Sequence, residues 1–301
     1  MTENTELVAL LYLLEDPDPE IYRRIKERIF QYGNEGIAAL NEYSKESKEA
    51  LVKLRIEQIM HEMHYTKVVD RFEHWLANDE NNLLEGIAIV TSYKHPNLDM
   101  NNVKDGVRAI KKDIWDAFGA NLSPARATGA LNEVFFDRYG FEIQPDSQLE
   151  ESDHFFHETL INRSGGRPAV GMLYAAIAAE LNLPIYVVAV PKGNFLLAYM
   201  EQSFDSTRDF RDHPIDAHFF IDPASFGSIY PRTEAYDKYV RKAADSSFGD
   251  WLYPLSNSES IQLILDDMAT YYKDNDQESH YTEIINLIRI TSEHIGRKNS
   301  L

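Results

Sequence analysis

The sequence predicts a mainly helical α+β protein in which a central helix packs on a small antiparallel sheet, with helical regions on either side. Three observations predict it. Apolar residues recur at helical spacing over most of the chain up to about residue 160. Runs rich in β-branched and aromatic residues are confined to 184–190, 195–200 and 218–222. Two further helical patterns, 258–272 and about 278–294, close the chain.

Taken in order, residues 1–80 read as wholly helical. Asp18-Pro19 has the form of a cap followed by proline in the first helical turn, Ile21, Ile25 and Ile29 recur at a spacing of four, and Gly33 stands where a C-cap would. A short helix follows near 36–43, with Ile37 and Leu40 inward. A longer one covers about 48–65, with Leu51, Leu54, Ile59 and Met63 on its apolar side. From 83 to about 139 the pattern stays helical, broken at His95-Pro96-Asn97 and at Asn121-Leu122-Ser123-Pro124. LNEVFFDRYGFE, 131–142, reads as an amphipathic helix ending at Gly140, and Ser152 or Asp153 as the cap of a helix through Phe156, Leu160 and Ile161. Beyond Gly165-Gly166 a small-residue apolar helix leads into the strands 184–190 and 195–200, joined by a turn at Pro191-Lys192-Gly193-Asn194. Residues 202–216 read as a surface loop before the third strand, 218–222. In the closing hairpin Ile261, Leu265 and Met268 face Ile284, Leu287 and Ile288.

Composition excludes several classes of function. Acidic residues number 49 against 30 basic, a net charge of -19, and no basic patch interrupts the surplus, since fragments such as YVRK at 239–242 are isolated. A polyanionic partner is therefore repelled, and no nucleic acid is expected. With no cysteine in the chain there is no disulfide, no thiolate metal site and no thiol nucleophile. The apolar run 7–14 follows Glu3 and Glu6 where a signal peptide would carry positive charge, and the run 169–190 is interrupted by Glu180, Asn182 and Pro184. No membrane span is expected, and a cytoplasmic protein is.

The blocks LNEVFFDRYGFE, HFFHETLINRSGGRP, LYAAIAAELNLPIYVVAVPKGNFLLAY and HFFIDPASFG, in this order and spacing, resemble the SirB1-like family of the transglutaminase-like superfamily. The closing hairpin IQLILDDMATYYKDNDQESHYTEIINLI resembles a tetratricopeptide-type unit, and the first 75 residues a HEAT-like helical pair. The resemblance implies three regions: 1–80 HEAT-like, 81–255 SirB1-like helices with a papain- or transglutaminase-like core, and 256–301 tetratricopeptide-like. Active members of the superfamily carry a cysteine at the start of the central helix, a histidine on a following strand and an aspartate on the next. Here the helix start is Arg167-Pro168-Ala169, the histidine position falls at Asn194 and the aspartate position at Asp222. An amide side chain is no general base near neutrality, and neither proline nor alanine has a group to attack with. The platform is expected without its nucleophile: a non-catalytic, degenerate core that binds a protein or peptide.

Other signals rank below this one. Arg167, beside Gly166 at a helix start, suits a carboxylate or phosphate, so an anion-sensing role is a further reading. A cysteine-independent hydrolase or amidase using the same cleft is the alternative; it relies on Asp222 and Asn194, with His218 or Ser164 as further members, and His218 is expected to share a strand face with Asp222. A turn role before Pro223 also accounts for Asp222. His61 and His64 lie three apart without the HExxH spacing, and His154 and His157 repeat that interval beside Phe155 and Phe156; no metal and no cofactor are expected. Tyr230, Tyr236, Tyr239, Trp251 and Tyr253 read as packing between core and hairpin.

Overall fold

The computed structural model describes residues 5–119, 122–191, 195–201, 217–241 and 252–298. The chain forms two compact units, Met1–Arg71 and Phe72–Leu301. The predicted turn residues 192–194, the loop 202–216 and Trp251 lie outside the described residues.

In the first unit, α1 (Thr5–Tyr12), α2 (Pro19–Phe30), α3 (Asn34–Glu46) and most of α4 (Ala50–Asn78) enclose a core of Leu7, Leu11, Leu14, Ile25, Ile29, Leu40, Val52, Ile56, Ile59 and Met63. Asp18 caps α2 as expected, its carboxylate accepting from the Glu20 amide at 2.8 Å, and Gly33 adopts φ +54 between α2 and α3. The predicted faces need correction. Ile21 is exposed, and Leu51 and Leu54 are half out in solvent at 46% and 52%. The inward stripe of α4 is Val52, Ile56, Ile59 and Met63, which steps by four, three and four as one helix face must. Leu51 and Leu54 lie off that line. α4 also runs well past residue 65, because no glycine or proline interrupts the sequence before Gly86. Arg55 is buried: its Nη1 donates to the carbonyls of Leu14 (2.8 Å) and Asp16 (2.5 Å), and its guanidinium lies over the Tyr22 ring.

The second unit is α+β. After α5 (Leu83–Ser92), α6 (Met100–Ala117) and α7 (Pro124–Asn132), the chain makes a buried π-helical turn, Glu133–Arg138, rather than a continuous amphipathic helix. Val134, Phe135 and Phe136 are all buried there, and Gly140 ends the turn at φ +72. A short strand β1 (Glu142–Ile143) pairs in parallel with β2 (Ser164–Gly165), which follows α8 (Phe156–Asn162). Neither Ser152 nor Asp153 caps α8, which begins after Phe155 without a side-chain cap; Asp153 lies in the turn ahead of it, its Oδ2 accepting the Glu150 amide at 2.8 Å. β2 leads straight into α9 (Arg167–Glu180), the central helix, buried from Ala169 to Ala178.

β3 (Ile185–Ala189), β4 (Phe195–Met200), β5 (Ala217–Asp222) and β6 (Ser228–Tyr230) form one antiparallel sheet in that order. β6, an edge strand, was not legible in the sequence. Phe195 meets α9 where Gly171 leaves room; a Cβ there would lie 2.3 Å from its ring. The alternate residues Leu196, Ala198 and Met200 pack with Val188, Phe220, Ala235, Val240 and Leu252 on the other side. Burial on both faces is why 195–200 reads as an unbroken apolar run. α10 (Arg232–Ala235) continues into a π-helical segment, Tyr236–Arg241. α11 (Asn257–Asp274) and α12 (Glu278–Lys298) form the predicted hairpin, with Ile261, Leu265, Met268, Ile284 and Leu287 buried. Ser256 and Glu259 cap α11 reciprocally. No described helix is long and apolar enough to cross a membrane.

Candidate functional site

The start of α9 is held from two sides. The β1–β2 ladder closes through the Gln144 amide on the Gly165 carbonyl (2.9 Å), and the Gly166 amide donates to the Asp153 carbonyl (2.8 Å). Gly165 admits no side chain, since a Cβ would lie 2.3 Å from Thr159 Oγ1. The glycine pair is thus a packing requirement at the mouth of the helix. Arg167 follows as the first helical residue, a third exposed, with Pro168 in the first turn.

Asp222 ends β5 and is 3% exposed. Alternation along the strand sends it to the side of Phe220, the face covered by Ala235 and Val240. Its Oδ1 accepts the Ala224 amide at 2.9 Å, capping the turn Pro223–Ser225, and lies 4.0 Å from Arg167 Nη1. Its Oδ2 accepts from Ser225 Oγ at 2.7 Å and from the Tyr239 hydroxyl, with Lys238 Nζ at 3.6 Å. Burial pushes this carboxyl up, but the hydrogen bonds from Tyr239, Ser225 and the Ala224 amide, with the Arg167 charge, outweigh it and hold the group below its ordinary value. The Tyr239 phenol is pushed up to about 12, by burial and then by Asp222. The turn beyond is fixed by Asn132, whose Nδ2 donates to the Gly227 carbonyl (2.8 Å) and whose Oδ1 accepts from Tyr174 of α9 (2.8 Å). Phe226 and Gly227 are both left-handed there, and Phe226 is 67% exposed.

A sequence profile described as transglutaminase-like superfamily matches residues 101–266, over half of the chain. The chain belongs to the transglutaminase-like superfamily. A 95-residue stretch of the chain is 30% identical to the UPF0162 protein PM0557 of Pasteurella multocida, covering 32% of this chain and 34% of the relative. A 193-residue stretch is 22% identical to F-box only protein 21 of Pongo abelii, covering 56% of this chain and 31% of the relative. The match therefore spans about a third of the length of either curated relative. No solved structure matches.

In this transglutaminase-like chain the predicted site residues are only partly brought together. Arg167 and Gly166 stand at the helix start, and Arg167 faces Asp222. Asn194 lies outside the described residues. Ser164 Oγ accepts from Gln144 Nε2 at 2.5 Å. The expectation that His218 shares a face with Asp222 is corrected: the register shifts between Tyr199 and Met200, so that Ala217 and His218 together oppose Met200. The exposed His218 ring lies beside Tyr199, 6.1 Å between centroids, and roughly 13 Å of strand separates it from Asp222. Among the described residues no contact joins Ser164 to His218. Of the predicted aromatic group, Tyr239 and Tyr230 pack edge to face, and Lys238 bridges them, donating to the Tyr230 hydroxyl at 2.8 Å.

The sequence did not reveal the partner of His154. Its Nδ1 lies 2.5 Å from Asp267 Oδ2 on α11, its ring packs on Tyr271, and its Nε2 is buried with no partner. The hairpin thereby contributes a carboxylate close to Gly166, whose Cβ position is 3.9 Å from the same Asp267 oxygen. The 113-residue separation of the two groups gave no local signal. A cavity of about 460 Å³ opens elsewhere, lined by Ala175, Ala179, Asn182, Tyr186 and Asn257 among others. Ala175 alone is roughly 12 Å along α9 from Arg167, so this cavity is not part of the Asp222 arrangement.

Proposed function

We propose that this chain is a non-catalytic transglutaminase-like protein of SirB1-like type that binds a protein or peptide segment in the cytoplasm, its HEAT-like and tetratricopeptide-like flanks adding binding surface. One observation carries the reading. The aspartate that would orient a catalytic imidazole instead accepts hydrogen bonds from Tyr239, Ser225 and a backbone amide, with Lys238 at 3.6 Å and Arg167 at 4.0 Å, and Arg167 begins the helix where a thiol would be required. A carboxylate so engaged has little acceptor capacity left for an imidazole N–H.

Binding is supported by what surrounds it. The turn after Asp222 and the edge strand β6 present Phe226 and Ile229 to solvent, 67% and 41% exposed, beside a strand edge unpaired among the described residues. An extended peptide can add to such an edge while an apolar side chain meets Phe226. Arg167, loosely paired at 4.0 Å, offers a cation to a peptide carboxylate. The test is a displayed-peptide library screened against the purified full chain, with affinities measured for the peptides recovered. Phe226→Asn, which keeps a residue tolerant of the left-handed turn, and Ile229→Thr should each weaken binding about tenfold. A library yielding no peptide that depends on these residues overturns the reading. So does hydrolysis of ester or amide substrates that disappears in Asp222→Ala, which would establish the hydrolase alternative.

A further inference from the structure

We propose that His95, His157 and Glu158 form a binding site for one divalent transition-metal ion, zinc being the best match to the donor set. His95 sits in the turn after α5, and His157 and Glu158 are neighbours in the first turns of α8. Glu158 Oε1 lies 3.2 Å from His157 Nε2 and 3.9 Å from His95 Nε2, and one donor atom from each of the three residues lies within 4.8 Å of the others. Bonds of about 2.0–2.1 Å in a tetrahedral site place donors about 3.3 Å apart. The set therefore needs only a slight inward movement to close on an ion.

Three features favour an ion over a hydrogen-bonded cluster. The two imidazole rings are 4.0 Å apart between centroids at 68°, facing one carboxylate oxygen, yet His95 Nε2 is too far from that oxygen for a hydrogen bond. His157 is 4% exposed, so its ring is held by packing while its Nε2 is directed at Glu158. His95 and Glu158 are about a third exposed, so an ion has a route from solvent to the buried third ligand. The adjacent cation, Lys94, is taken up by Glu151 at 2.8 Å and does not occupy the site. Two imidazoles and a carboxylate suit zinc, and the fourth position would be left to water. The ion would tie the turn between α5 and α6 to the start of α8, the helix that delivers the chain to β2 and the mouth of α9.

The test uses the full chain, stripped with a chelator and titrated with Zn2+ alone by calorimetry and with Co2+ alone by visible absorption. One equivalent should bind, with the intense d–d bands of a four-coordinate cobalt site, and zinc should raise the melting temperature. His95→Ala and Glu158→Gln, both at partly exposed positions, should each weaken binding at least tenfold and abolish the thermal shift, with unchanged circular dichroism. These two positions are chosen over His157 because replacing a buried ring would itself disturb folding. The exposed His74→Ala should bind as the parent does. Absence of stoichiometric uptake, or uptake undiminished in both His95→Ala and Glu158→Gln, overturns the proposal.

Discussion

Two buried carboxylates of the second unit, Asp222 and Glu80, sit in nearly the same environment for different topological reasons. Glu80 is 8% exposed and takes Ser258 Oγ at 2.7 Å, His294 Nε2 at 3.1 Å and Lys298 Nζ, while its carbonyl accepts Asn257 Nδ2 at 2.9 Å. Asp222 likewise takes a serine hydroxyl, a lysine and a further polar hydrogen. In both, burial works to raise the carboxyl and the ring of donors holds it below its ordinary value instead. Glu80 has no counterpart in the triad scheme; it pins both helices of the closing hairpin to the turn after α4. Asp222, which we read as standing at the aspartate position of the triad, is held in the same manner, so its surroundings are those of a structural lock. A working triad aspartate keeps one oxygen for an imidazole.

Substitutions test this likeness. The largest effect is expected from Glu80→Ala, which strands the Ser258, His294 and Lys298 donors together. About 3 kcal/mol should be lost in urea unfolding, with faster amide exchange in the last turns of α12. Asp222→Ala should cost about 2 kcal/mol, less because Arg167 and Lys238 are partly exposed and can turn to water. If Asp222→Ala instead leaves stability unchanged and removes an enzymatic activity, the parallel with Glu80 fails.

A third experiment uses acid. The ordinary values are 3.8 for Asp222 and 4.5 for Glu80, and both are lower in the folded chain. The unfolded chain therefore takes up these protons first as pH falls. The stabilisation is complete above about pH 4.5 and is lost as pH drops through the folded values. The double variant Asp222→Asn/Glu80→Gln should flatten the acid limb of a stability–pH curve in that range; an unaltered limb counts against the shared mechanism. The smallest effect is expected from Arg167→Ala. At 4.0 Å and a third exposed, its pair with Asp222 should contribute less than about 0.5 kcal/mol to stability. Its larger role would then be in ligand binding, measurable as a loss of peptide affinity at constant melting temperature.

Much of the fold was legible because its signals are local. The cap at Asp18-Pro19, the Gly-Gly start of α9, the apolar run of β4 and the two closing helices each show within a few residues what the backbone will do. Errors arose where a face had to be chosen among several apolar residues, as on α4, where Leu51 and Leu54 compete with Val52 and Ile56. They arose again where register mattered: the bulge opposite Met200 turns His218 away from the alternation that a regular strand would impose. The three-residue edge strand β6 is too short for a periodic signal.

Which chemistry is absent follows from the sequence alone. No cysteine exists anywhere in the chain, and arginine and proline stand at the start of the central helix, so no thiolate can form there. The order of helices and strands follows from it too, since propensity, capping and periodicity act over a few residues at a time. The company each polar group keeps is another matter, set by tertiary packing: Asp222 with Tyr239, His154 with Asp267 across 113 positions, Glu80 with Lys298 across 218. A buried charge is stabilised by whatever donors packing brings within about 3 Å, and such distances are set by the folded chain as a whole.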